Sequence, residues 1–457
     1  MDRFFGLKQN GTTVRIEVIA GITTFFTMAY IIFVNPSILS APFSIMGMEE
    51  VADGVRDSVF ISTCLISFLA TLMMGLYAKL PFALAPGMGL NAYFAFTVIL
   101  TLGYTLSQGF AAVFISGILF IIITLVGLRE AIVRAIPDGV KNAMAPGIGL
   151  FIALIGFKNA GIVVADDATF VTIVNFSRWT IDSSSATLAI LGLVLVGVLY
   201  KFKVKGAIFF SILGTTCIGI PMGVTNLSGF QFAAPNFAAF KEYGFLNMDF
   251  AGLLNIEEGF VAALLSLITV VIALAMVDMF DTVGTLIGTA KSAKMLSPDG
   301  TLPRMKQAMM CDSIATTAGA CLGTSTVTTY VESGAGISEG GKTGLTAVTT
   351  SLLFVAALFL SPLIAVIPLA ATAPALIIVG VLMMGSIKEI DFTDMTNAIP
   401  AFLTMVMMPF TYSIANGVAW GLIAHLLLKT FTGRFKETHV ITWIIAALFV
   451  VRYLIMV

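Results

Sequence analysis

Asp278, Asp281 and Glu332 are carboxylates inside stretches otherwise apolar enough to cross a bilayer, and Asn91 is an amide in another such stretch. A carboxylate in hydrocarbon costs roughly 2.5–3.5 kcal/mol even on insertion-based scales, so these side chains should face a protein-lined, hydrated cavity. There a carboxylate can accept hydrogen bonds from a polar solute and can take up or release a proton. Asp278 and Asp281 are three residues apart, hence neighbours on one helix face, so one can bind while the other carries the proton. The arrangement marks a route or a site.

The surrounding chain is that of a polytopic membrane protein. With 58% hydrophobic residues, 11% charged residues and a mean hydropathy of +1.02 over 457 residues, apolar runs long enough for a bilayer recur throughout. A net charge of −1 and the lack of a Lys/Arg-rich tail exclude an electrostatic nucleic-acid binder. Cys64, Cys217, Cys311 and Cys321 are widely spaced, with no CxxC or Cys/His pattern, so neither a disulfide framework nor a metal site is expected. The N-terminal segment lacks the pattern of a signal peptide, and the first apolar run is expected to stay as a span.

Apolar segments fall near 17–40, 58–79, 83–101, 109–128, 143–163, 186–201, 205–223, 259–290, 308–323, 326–340, 345–367, 373–387, 398–414 and 416–430. A stretch at 440–457 reads either as a further span or as a helix lying at the surface. Lys and Arg are retained on the cytoplasmic side, and here they collect before the first span (Arg3, Lys8, Arg15) and after the even-numbered ones. Examples are Lys79, then Arg129, Arg134 and Lys141, then Lys201, Lys203 and Lys205, then Lys291, Lys294, Arg304 and Lys306, and finally Lys429, Arg434 and Lys436. The long odd-numbered connections lean acidic, with Glu49, Glu50, Asp53 and Asp57 in 41–57 and Glu242, Asp249, Glu257 and Glu258 in 224–258. The pattern predicts a cytoplasmic N-terminus in a cell membrane.

Span pairs recur at an offset of roughly 240 residues, and seven spans separate each member from its partner, so the second copy is expected upside down, as in the inverted repeats of secondary transporters. The third span of each half is irregular. Segment 83–101 opens Ala83-Leu84-Ala85-Pro86-Gly87-Met88-Gly89-Leu90-Asn91, and 326–340 opens Thr326-Val327-Thr328-Thr329-Tyr330-Val331-Glu332-Ser333-Gly334. Proline and glycines oppose a continuous helix, and a β-branched run favours extended backbone. Each segment is predicted to be a short extended piece followed by a half-helix, tolerated at membrane depth only where protein or a cavity satisfies the backbone. The fold class is therefore all-α and polytopic, with about fourteen spans in two inverted seven-span repeats and extended pieces in spans 3 and 10.

The runs Thr23–Pro36, Ala85–Ala92, Phe280–Leu286 and Tyr330–Ser333 through Gly340–Ala347, in that order, resemble the azaguanine-resistance type of adenine/guanine/hypoxanthine permeases in the nucleobase–ascorbate transporter superfamily. The resemblance implies a core domain from 1–128 and 259–367, a gate domain from 129–258 and 368–457, and purine uptake coupled to protons by alternating access. No other cofactor is implied. Substrate would sit between the two extended pieces, at Asn91, Gly89, Asp278, Asp281, Val331 and Glu332, with Asp281 or Asp278 carrying the proton. The superfamily often has a histidine one turn after the span-eight acid; here that position is Thr285, and His425 and His439 lie elsewhere, so a carboxylate must do that work. A purine suits such a site, because a carboxylate can accept two N–H bonds side by side and an amide can both donate and accept. A homodimer is compatible with the chain.

Plainer readings stand beside these. Glu332 or Asp278 can be a hydrogen-bond partner for a broken helix, Asn91 a helix cap, and the glycines packing residues. Tyr30, Tyr93, Phe94 and Tyr330 can stack on a base or simply pack. The rival functions are an anion carrier or channel of the same fold, which several acids would disfavour, and a membrane enzyme, for which no HExxH or Ser/His/Asp grouping exists near the acids.

Overall fold

The computed structural model describes residues 2–127, 135–177, 180–227, 234–254, 260–292, 295–296, 302–364 and 366–455. Arg129, Arg134, Glu257, Glu258 and Lys294, used above for orientation, lie outside the described residues. Among the described residues nine helical stretches are long and apolar enough to cross a membrane, and shorter apolar helices lie at 88–101, 207–219, 395–410 and 440–451. This is a multi-pass membrane protein.

The first span is two helices, α1 (Val14–Met28) and α2 (Ile31–Ile45), with Tyr30 at the break. Thr13 starts α1 by accepting the Ile16 amide on its hydroxyl. Pro36 lacks the N–H that would bond Ile32, so the helix cannot run regularly through that turn. Next come α3 (Glu49–Met73), β1 (Leu84–Pro86), α4 (Met88–Ala92, running on as π-helix to Thr101) and α5 (Leu106–Val126). A Thr105/Gln108 capping box opens α5 and left-handed Gly127 closes it. Then follow α6 (Asp138–Asn159), α7 (Ile181–Lys201) and α8 (Ala207–Gly219).

The order repeats with α9 (Phe260–Ser292), α10 (Met305–Leu322), β4 (Val327–Thr329), α11 (Ser333–Ser338), α12 (Gly344–Ala356), α13 (Leu369–Met383), α14 (Met395–Phe410) and α15 (Ile414–Phe431). Helices α1–α3, α5 and α9–α12 pack among themselves, whereas α6 lies against α13 and α14, and α7 and α8 against α13.

The centre is the pairing of the two extended pieces. β1 and β4 run antiparallel with Leu84 opposite Thr329, Ala85 opposite Thr328 and Pro86 opposite Val327. A two-stranded sheet inside a helical bundle leaves two outer edges to satisfy, and each is closed by a threonine. The Thr71 hydroxyl accepts from the Leu84 amide (2.9 Å) and donates to the Leu84 carbonyl (3.0 Å), while Thr316 does the same for Val327 (3.2 and 3.0 Å).

The all-α expectation needs one correction. Residues Val163–Asp166 (β2) and Phe170–Ile173 (β3) form an antiparallel hairpin between α6 and α7, where the apolar pattern gave only the end of a span. The C-terminal stretch is a helix, α16 (Val440–Ile455), packed against α9 and α15.

Candidate substrate site

The expected residues reach the β1/β4 pair from three stretches, α4, α9 and the connection between β4 and α11. Glu332 immediately precedes α11, half-buried, and its Oε1 accepts the Tyr30 hydroxyl at 2.6 Å. Asp281, also half-buried, reaches the Thr328 hydroxyl and lies close enough to Glu332 for their charges to interact. Asp278, one turn earlier on α9, is only 1% exposed and accepts from Thr316 (3.0 Å), the residue that closes the edge of β4. The neighbouring acids thus have different surroundings: Asp281 meets the paired strands and Asp278 their support.

Asn91 is wholly buried in α4, and its Oδ1 accepts the Ser325 hydroxyl just before β4. It is not a cap, since Gly87 holds that position and the Asn91 amide already bonds the Gly87 carbonyl (2.8 Å). The Asn91 Nδ2 is a buried donor with no hydrogen-bond partner among the described residues.

Gly89 and Gly87 face different neighbours. A Cβ at Gly89 would meet Ile148 Cγ2 of α6 at 2.4 Å, not the opposing strand; the close approach to β4 belongs to Gly87, whose Cβ would lie 2.8 Å from Thr328 Cγ2. Val331, between β4 and α11, has its side chain 58% exposed. Of the aromatic candidates, Phe94 stacks on Phe110 (5.4 Å between centroids), and the Tyr330 hydroxyl donates to the Pro86 carbonyl (2.5 Å).

Two buried acids escaped the sequence reading. Asp312 on α10 accepts from Thr282 (2.9 Å), whose hydroxyl also meets Thr328 (2.8 Å), so a chain of hydroxyls runs from Asp312 to the centre of β4. Its signal was the one used for Asp278: an acid in an apolar segment. Glu17 on α1 is fully buried and accepts the amides of Lys342 (3.0 Å), Thr343 (3.2 Å) and Thr346 (3.2 Å) together with the Thr346 hydroxyl (2.6 Å). It holds the Gly340–Gly344 loop and the start of α12, where Gly344 abuts the Gly75 backbone too closely for a side chain.

The sequence profile of the permease family matches residues 15–420. The chain belongs to the permease family. It is 41% identical to the adenine permease AdeP of Escherichia coli over 452 residues, covering 99% of this chain and 95% of that one. It is 40% identical to the guanine/hypoxanthine permease PbuO of Bacillus subtilis over 459 residues, covering 99% and 100%. Among solved structures, the transmembrane domain of the cyanobacterial bicarbonate transporter BicA superposes with a TM-score of 0.60 at 16% identity, over 89% of this chain and 97% of that one, a likeness of fold. This permease is a transporter and not an enzyme, and the resemblance drawn from its motifs is met by these relatives.

Proposed function

We propose that this permease imports purine nucleobases by proton symport with alternating access, held in the plasma membrane with its N-terminus cytoplasmic. The observation that carries the reading is the gathering of Asp281, Glu332 and the spare amide donor of Asn91 around two paired strands. Carboxylates accept ring N–H groups, and the Asn91 Nδ2 can donate to a ring nitrogen or an oxo oxygen. Relatives along the full length carry adenine and guanine/hypoxanthine in their names, which supports a purine.

Fourteen spans in two inverted halves fit the repeated order of elements. The dense packing of α6 on α13 and α14, and of α7 and α8 on α13, supports a gate domain (129–258, 368–457) moving against a core (1–128, 259–367). The proton passes through Asp281, which lies at the strands, while Asp278 supports them. The fold is shared with a bicarbonate transporter, so an anion is the rival cargo; acids at the site oppose it.

The test is uptake of labelled adenine, guanine and hypoxanthine by purine-transport-deficient cells, each competed against the others and against bicarbonate, with and without a protonophore. Purine accumulation that collapses with the proton gradient is expected. Bicarbonate uptake without purine uptake overturns the reading.

A further inference from the structure

One face of α1 is given over to the half-helix that follows Glu332. Along it, Glu17 clamps the loop after α11, and Ala20 and Thr24 lie so close to Gly336 that a Cβ there would sit 2.4 Å from the Ala20 carbonyl and 2.1 Å from Thr24 Oγ1. The Thr27 hydroxyl contacts the Glu332 carbonyl (3.4 Å), and Tyr30 ends the row with its hydroxyl 2.6 Å from Glu332 Oε1. Residues 17, 20, 24 and 27 follow the three-or-four spacing of a single helix face, and the break after Met28 turns the Tyr30 ring inward, where it is 1% exposed.

We propose that Tyr30 is a positioning residue for substrate binding, holding the Glu332 carboxylate in one rotamer through Oε1 so that its other oxygen meets an N–H of the base. This rests on Glu332 being a base-binding residue. A phenol O–H on a carboxylate is a charge-assisted bond, short and directional, and it fixes the carboxylate plane before substrate arrives. A base that presents an N–H to a fixed acceptor binds without the cost of ordering that side chain, whereas a loose carboxylate must be ordered by each ligand. Tyr30 therefore sharpens affinity without touching the base.

The experiment measures dissociation constants of hypoxanthine and adenine with purified protein, and the KM and maximal rate of uptake normalised to membrane abundance, for Tyr30→Phe, Glu332→Gln and the double variant. Tyr30→Phe keeps the ring and removes only the hydroxyl. It is expected to weaken binding of the preferred base about tenfold and to raise KM with little change in maximal rate. Glu332→Gln is expected to weaken binding as well, and the double variant to be no more than twofold worse than Glu332→Gln alone, because the hydroxyl acts through that carboxylate.

Losses that multiply in the double variant, or unchanged affinity in Tyr30→Phe, overturn the proposal while leaving Glu332 as a binding residue. Unchanged affinity in Glu332→Gln instead removes the reading beneath it. Should Tyr30→Phe not yield stable protein, Tyr30→His, which retains a donor, and Tyr30→Leu, which does not, are compared by competition uptake in cells. Retained affinity in the first with loss in the second supports the proposal, and equal affinity overturns it.

Discussion

Thr71 and Thr316 perform the same task in the two halves of the molecule: each hydroxyl closes the outer edge of one central strand, Thr71 on Leu84 and Thr316 on Val327. The repeat is therefore written in single hydrogen bonds as well as in the order of elements. Replacing either threonine with valine keeps the shape and leaves a buried N–H and C=O unsatisfied, at about 1–3 kcal/mol for each orphaned group. Thr71→Val and Thr316→Val are both expected to lower the thermal midpoint in detergent, and Thr→Ser at the same positions to restore most of it. A midpoint unchanged in both valine variants would show that the strand edges find other partners.

The single Thr316 hydroxyl proton is shared between the Val327 carbonyl and Asp278 Oδ2, whereas Asp281 meets Thr328 on the strand itself. The two acids should then fail in different ways. Asp281→Asn is expected to reach the membrane at normal abundance and to exchange labelled purine across it, yet to lose accumulation driven by a pH gradient. Asp278→Asn is expected to lower abundance or thermal midpoint along with transport. Uphill accumulation by Asp281→Asn equal to that of the unaltered protein would remove Asp281 as the proton carrier.

At Gly89 the packing partner is Ile148 of α6, so a side chain there obstructs the approach of α4 to that helix. Gly89→Ala is expected to reduce transport several-fold through overpacking of about 1–3 kcal/mol. Because the clash is with Ile148 Cγ2, the double variant Gly89→Ala with Ile148→Ala should recover much of the loss. Gly117 is a different case: a Cβ there meets the Thr317 amide nitrogen at 2.8 Å, so Gly117→Val should lower abundance. Uptake beside membrane abundance separates the two.

The extended pieces were legible because Pro86 and the run Thr326–Val331 disfavour helix by local chemistry alone, and the repeat because its span pairs return at a fixed interval. Asp281 and Glu332 were legible because charge in an apolar run is costly wherever it folds. Asp312 satisfied the same rule and was passed over among its polar neighbours Ser313, Thr316 and Thr317. Glu17 could not be found that way: beside Arg15 in the first turn of a helix it reads as a solvated end charge, and only the arrival of residues 342–346, more than three hundred positions later in the chain, buries it. The packing at Gly89 was hidden for a similar reason, since only tertiary structure brings Ile148 of α6 against the place a side chain there would occupy. The hairpin at 163–173 was missed because its two strands are too short to stand out beside the end of a span.

In the connections that flank α14 and follow α15, the Thr396 hydroxyl and amide, with Arg434, hold the Asp394 carboxyl down at about 2, and Arg434 with Lys429 holds Glu437 at about 2. Both folded values lie below those of the free side chains, 3.8 and 4.5, so their contribution to stability is present above those values and is lost as pH falls toward 2. Neither group titrates between pH 5 and 8. Glu437→Gln is accordingly expected to leave the pH profile of uptake unchanged across that range, and a displaced profile would make this cluster part of the coupling.

Glu17 tests whether the substrate site depends on a scaffold outside it. Its carboxylate accepts three backbone amides and one hydroxyl at the start of α12, all from a segment that also packs α11 on α1, the helix at whose end Tyr30 contacts Glu332. Hydrogen bonds to a buried charge are worth about 1.5–3 kcal/mol, and a glutamine would turn an amide group toward donors that need an acceptor. Glu17→Gln is therefore expected to lower the thermal midpoint in detergent and to weaken purine affinity together, although residue 17 is placed to touch no base. Saturating purine should recover part of the lost midpoint, because a ligand that binds the folded site stabilises it by mass action. A lowered midpoint with unchanged affinity would instead show that the loop after α11 can loosen without moving Glu332, and would confine the influence of Glu17 to the fold.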